Sequence, residues 1–172
     1  MPDPRVPELR LRPLPPDVGS FLEQLYATNR EAEFSQVQWP DAQKRVFLQQ
    51  QFQLQDRAYR AQFPGTAFEL IVLDGRWVGR LSVWEGAKEI HLLEIALLPE
   101  AQRRGIGTQI MELLLHRAAV QHKPVTLHVQ VSNPALAWYQ RLGFVQQTGD
   151  GVYWSMRWGA KVRLKTLSLE DD

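Results

Sequence analysis

Gln102-Arg103-Arg104-Gly105-Ile106-Gly107 is the stretch on which the reading of the fold turns. It follows an apolar run, Glu89 to Leu98, that Pro99 closes. After it, Ile106, Ile110, Leu114 and Ala118 recur at helical spacing, widened by Met111 and Leu115, which predicts a helix to about Gln121. A strand therefore feeds through a glycine-containing loop into a helix. A helix start presents backbone N–H groups that lack intrahelical partners, together with the positive end of the helix dipole. Glycines let that backbone bend and approach an anion with no Cβ in the way, and Arg103 and Arg104 add charge. Phosphate or pyrophosphate is the natural ligand; a glycine turn with solvated arginines is the alternative at this point. A nucleotide P-loop would need Gly-Lys-Ser/Thr, and Gly107-Thr108 lacks the lysine. A Rossmann fingerprint would want a third glycine where Ile110 stands.

Toward the N-terminus, Glu8 to Arg12 reads as a short edge strand closed by prolines. Asp17 offers a helix N-cap ahead of Phe21, Leu22, Leu25 and Tyr26. Pro40-Asp41 starts a second helix to about Arg60, with Val46, Phe47 and Leu54 as inward candidates and Gln49, Gln50, Gln51, Gln53 and Gln55 as a solvated face. Ala67 to Leu73 and Trp77 to Trp84 read as strands around an Asp74-Gly75 hairpin turn. The long apolar centre of Glu89 to Leu98 implies a third strand here, buried on both faces. Beyond the loop helix, Val125 to Val131 is a strand, Asn133 to Leu142 a short helix capped by Gly143, and Phe144 to Gln147 and Gly151 to Trp158 two closing strands around Thr148-Gly149-Asp150. The order is β-α-α-β-β-β-α-β-α-β-β. It predicts an α/β (α+β) fold with a mixed, mostly antiparallel twisted sheet of about seven strands and about four helices. Residues 1–159 read as one domain; 160–172 form a mixed-charge tail, an extra strand or a mobile end.

The 172-residue chain has a net charge of +1, 44% hydrophobic residues and no cysteine. The near-zero charge predicts no general attraction to nucleic acid or to an acidic membrane. Without cysteine there are no disulfides, thiolate metal sites or thiol nucleophile. No run approaches the roughly 18 apolar residues of a membrane span, and the N-terminus lacks a signal-peptide pattern. Soluble and cytoplasmic is the expectation.

The loop and its setting resemble the GNAT superfamily of N-acetyltransferases, whose acetyl-CoA motif is Q/R-x-x-G-x-G/A between the fourth strand and the third helix. Gln102, Gly105 and Gly107 match it. A second match is Asn133-Pro134-Ala135 with Trp138-Tyr139-Gln140-Arg141-Leu142-Gly143-Phe144, similar to the family's N-x-x-A…Y-x-x-x-G-F segment. Asn133 lies six residues before Tyr139, one fewer than the commoner family spacing. The two motifs stand in the family's order, and the likeness runs from Glu8 to Trp158.

The resemblance implies acetyl-CoA as donor, no metal, and direct transfer to an amine in a ternary complex. The cofactor would contact Leu97, Leu98, Gln102, Arg103, Arg104, Gly105, Ile106, Gly107, Thr108 and Asn133. The oxyanion donor is expected from backbone N–H groups near Leu97 or Leu98. Tyr139 is the expected general acid toward the departing thiolate, against the alternative of a tyrosine that only closes the last helix. Glu94 is the expected base, through water, because an acid in an apolar run is costly unless paired or functional; pairing with an arginine is the competing explanation. His91 is the alternative base, and His128 reads as structural. The acceptor is a small-molecule or peptide amine, with a homodimer left open. A non-catalytic acyl-CoA sensor and an interaction module are the competing functions.

Overall fold

A computed structural model describes residues 6–159 of the chain; the 160–172 tail lies outside the described residues. The elements are β1 (Leu9–Pro13), α1 (Gly19–Phe34), α2 (Asp41–Gln62), β2 (Ala67–Leu73), β3 (Arg76–Glu85), β4 (Ile90–Leu97), a 3-10 turn (Pro99–Ala101), α3 (Ile106–Val120), β5 (Val125–Gln130), α4 (Ala135–Arg141), β6 (Val145–Gly149) and β7 (Tyr153–Trp158). The order is the one expected from sequence. The seven strands run β1-β2-β3-β4-β5-β7-β6. Neighbours β1/β2, β2/β3, β5/β7 and β6/β7 are antiparallel. β4 and β5 are parallel, with Ile90↔Val125, His91↔Thr126 and Leu92↔Leu127 in register, as a strand–helix–strand crossover requires.

The described chain divides into two compact units: residues up to Val83 with Glu94–Gln109, and Trp84–Leu93 with the residues from Ile110 onward. In the first, Val18, Leu22, Phe52, Leu70 and Val72 form a buried cluster. The β2–β3 turn carries Asp74 at φ 49° and Gly75 at φ 78°, the paired left-handed conformation that tight hairpins favour. Three expectations change here. Asp17 does not cap α1: the helix starts at Gly19 behind Val18, which has no side-chain cap and is buried at 6% exposure, so packing of Val18 sets the entry. On α2, Val46 and Leu54 are exposed while Leu48 and Phe52 are buried. At 100° per residue Leu48 and Phe52 share a face that Val46 and Leu54 oppose. Phe47 is half-buried against Phe34 and Trp39.

The second unit contains most of α3. All six residues of its expected stripe are buried, from Ala118 and Met111 at 0% to Leu115 at 8%. The closing hairpin turns later than expected: Thr148 and Gly149 are strand, and Asp150 Oδ1 accepts from the N–H groups of Val152 (2.9 Å) and Tyr153 (2.7 Å). Those donors hold the Asp150 carboxyl below its ordinary value.

Candidate functional site

β4 changes character along its length. Ile90, His91 and Leu92 are buried, whereas Leu93 to Leu97 are all half-buried. The expected two-face burial therefore holds only for the first three residues. The parallel register with β5 covers this buried part, Ile90↔Val125 to Leu92↔Leu127.

Leu98 leaves the strand, the 3-10 turn follows with proline at its start, and Gln102 is extended. Arg103 (φ 58°) and Gly105 (φ 76°) then take left-handed conformations. A Cβ on Gly105 would meet nothing within 4 Å, so backbone angle alone calls for glycine there. Arg103 adopts such an angle without that freedom, at about 1–2 kcal/mol. Gln109 N–H donates to the Gly105 carbonyl at 3.0 Å, which leaves the amides of Ile106 and Gly107 ahead of the helical ladder. Arg103 and Arg104 are exposed beside them and Thr108 is half-buried. Gln102 through Thr108 thus form one turn that offers amides, arginine side chains and open space.

The Gln102 side chain is directed back toward the strand. Its Nε2 donates to the Leu97 carbonyl at 2.9 Å and lies 3.3 Å from Asn29 Oδ1 on α1. Leu98 N–H donates to the Val78 carbonyl at 2.8 Å. Of the two residues expected to supply an oxyanion donor, Leu98 therefore has its N–H engaged.

Glu94 is ion-paired. Its Oε2 accepts from Arg80 Nη2 at 2.8 Å, and Arg80 Nη1 reaches Asp56 Oδ1 at 3.1 Å. Arg80 is 1% exposed and lies near the rings of Phe52 and Phe68. Burial works against its charged form, but the two carboxylates more than compensate and raise its pKa. Asp56 also holds Arg60 at 2.9 Å. Nearby on α1, the Tyr26 phenol is raised by burial first, then by Glu33 and Glu94, against the lowering effect of Arg30. Arg80, Asp56 and Asn29 were not foreseen. Arg80 carried a usable signal: an arginine inside the strand run Trp77–Trp84 implies a carboxylate partner.

In the second unit, His91 is 6% exposed, with Nδ1 2.8 Å from Thr126 Oγ1 and its ring 5.2 Å from that of His128. Burial, then His128, lowers its pKa from 6.5 to about 4, with Glu89 opposing. His128 is exposed. Tyr139 is fixed by the way α4 ends. Gly143 (φ 100°) lets Phe144 N–H reach the Tyr139 carbonyl (3.1 Å) and Gly143 N–H the Gln140 carbonyl (3.0 Å). These are the paired bonds of a Schellman cap, and the rings of Tyr139 and Phe144 meet edge-on at 5.7 Å. Asn133 Oδ1 accepts from Ala135 N–H at 2.9 Å and so serves the start of α4. Among the described residues no three His, Asp or Glu side chains gather as metal ligands. No described helix is long and apolar enough to cross a membrane.

The profile of the acetyltransferase (GNAT) family matches residues 22–144. The chain belongs to that family. Over 106 residues this GNAT chain is 31% identical to mycothiol acetyltransferase of Streptomyces griseus, the match taking in 58% of the chain and 34% of that protein. The chain thus spans about a third of the length of that curated relative. Its fold is similar to that of PaiA N-acetyltransferase from Thermoplasma acidophilum, solved in complex with coenzyme A (TM-score 0.65, 17% identity, 88% of this chain and 99% of that one). An acetyltransferase from Thermus thermophilus is similar too (TM-score 0.61, 21% identity, 87% and 94%). At such identities these two structures speak to the GNAT fold alone.

Proposed function

We propose that this chain moves an acetyl group from acetyl-CoA to a primary amine of a small molecule or peptide, both substrates being bound together. The observation that carries the reading is the half-buried run Leu93–Leu97 leading into a left-handed turn at the start of α3. A half-buried strand can take an extended pantetheine arm by strand-like pairing. The turn fits a pyrophosphate: the amides of Ile106 and Gly107 and the charges of Arg103 and Arg104 surround a glycine with open space before it. Membership of the acetyltransferase family and a relative solved with coenzyme A support the same donor.

Acetyl-CoA supplies an activated thioester, whose C–S bond breaks with its electron pair on sulfur as the C–N bond to the amine forms. The chain's residues handle the charges and protons. The N–H of Leu97 donates to the carbonyl oxygen. Tyr139 gives its phenolic proton to the thiolate, and its placement depends on the Schellman cap. The proton leaving the amine goes to Glu94 through water. His91 is buried with its Nδ1 against Thr126 Oγ1, whereas Glu94 is part-exposed and so within reach of a relaying water.

Isothermal titration with acetyl-CoA, followed by thiol release across an amine panel, tests the reading. Cofactor binding with turnover on one amine class is expected, and Arg103→Ala/Arg104→Ala should weaken binding roughly tenfold, since two exposed ion pairs contribute under about 1 kcal/mol each. Binding without turnover on any amine would instead favour an acyl-CoA sensor.

A further inference from the structure

The acetyl-CoA reading needs a backbone N–H near the end of β4, and the first unit contains a device that aims one. A Cβ built on Gly79 would lie 2.1 Å from the Ala96 carbonyl oxygen and 3.2 Å from its carbon. The difference between those distances is nearly the length of a C=O bond, about 1.23 Å. The Ala96 carbonyl therefore points almost straight at the vacant side-chain position of Gly79. All described peptide bonds are trans, so the Leu97 N–H, on the same peptide plane, points the opposite way. Leu97 is held from its other end as well, because its carbonyl accepts from Gln102 Nε2 at 2.9 Å.

We propose that Gly79 is a positioning residue for acyl transfer: by lacking a side chain it lets the Ala96–Leu97 peptide tip its carbonyl onto β3, and so directs the Leu97 N–H at the oxygen of the bound thioester. The proposal rests on the acetyl-CoA reading. Gly79 does not have a left-handed φ, so conformational freedom is not what calls for glycine. The obstacle to any larger residue is a backbone oxygen, which no rotamer change can clear, and Leu97 Cδ2 stands 2.9 Å away behind it. Alanine at 79 must push the peptide by about 1 Å to restore an ordinary contact, a displacement that can cost a reaction on the order of 100-fold. An oxyanion donor is sensitive to such a shift because it must lie about 2.7–3.1 Å from the developing charge.

The test uses the full chain and acetyl-CoA carrying ¹³C at the acetyl carbonyl. In the wild type the bound carbonyl resonance should move downfield as Leu97 polarises it. Gly79→Ala should still bind desacetyl CoA but lose most of that displacement, and turnover on any accepted amine should fall about 100-fold in kcat, well beyond any loss in CoA affinity. A carbonyl displacement retained in full by Gly79→Ala overturns the proposal and leaves the cofactor reading standing. Failure of the wild type to bind CoA removes both. Should Gly79→Ala not fold, the ¹⁵N–H resonance of Leu97 in the wild type decides: movement with acetyl-CoA beyond that with CoA supports the aim, and equal movement overturns it.

Discussion

Acid should destabilise this protein through His91. Its buried ring, beside Thr126 and His128, has a pKa of about 4 in the folded chain against an ordinary 6.5. Between those values the unfolded chain binds more protons than the folded one, so stability falls as pH falls. The contribution is complete above pH 6.5 and gone below about pH 4. At about 1.36 kcal/mol per pH unit across that window, the ring accounts for about 3 kcal/mol. His91→Gln keeps a polar group near Thr126 and removes the titration. Urea unfolding of both proteins, repeated from neutral pH down to pH 4, isolates the ring, because other titrating groups act on both. The gap in unfolding free energy between wild type and variant should shift by about 3 kcal/mol against the wild type toward acid. A gap that stays constant would show that burial does not hold the imidazole neutral.

Tyr139→Phe keeps the edge-on contact with Phe144, so it should lower kcat by about 10²–10⁴ with acetyl-CoA affinity intact; an unchanged rate ends its role as acid. Arg80→Met leaves part-buried Glu94 without its ion-pair partner and Asp56 with Arg60 alone, and should cost about 2–4 kcal/mol in chemical unfolding. Adding Asp56→Asn and Glu94→Gln should recover most of that loss, whereas additive losses would contradict a shared network. Gly143→Ala forces a φ of 100° on alanine and crowds Trp158 at 3.2 Å; it should lower stability by about 1–2 kcal/mol, read as a lower Tm.

Elements whose pattern is set by one local rule were legible in the sequence. The α3 stripe Ile106–Ile110–Leu114–Ala118 repeats every four residues and lies wholly inside. Asp74-Gly75 turned as its chemistry demands, because left-handed angles at two successive positions favour few other pairs. The turn into α3 was legible for the same reason at Gly105, which takes a φ of 76°. Features set by long-range packing were not. On α2, Val46 and Leu54 look as apolar as Leu48 and Phe52, and only docking against other elements picks the buried face. The half-buried part of β4 has the composition of its buried part, so the change at Leu93 leaves no trace in residue type. The role of Gly79 depends on the direction of a carbonyl seventeen residues away in sequence, and no local signal records it.

The Arg80 network alters the grounds for assigning the base. An acid in the apolar run of β4 was suspect because a buried carboxylate without a partner is costly. Arg80 removes that cost, since Glu94 Oε2 meets a buried guanidinium at 2.8 Å. A structural reason for an acid at 94 therefore exists whether or not it moves protons, and its burial no longer argues for catalysis. The two roles differ in what they do to kinetics. If Glu94 only balances Arg80, Glu94→Gln should lower stability and scale turnover uniformly with pH, and Asp56 would carry the remaining charge pairing. If it accepts the amine proton, Glu94→Gln should remove the acidic limb of the kcat/KM profile while the limb survives in His91→Gln. We expect the second pattern. Retention of the acidic limb in Glu94→Gln would leave Glu94 as the counter-ion of Arg80, and its loss in His91→Gln would then assign the base to His91.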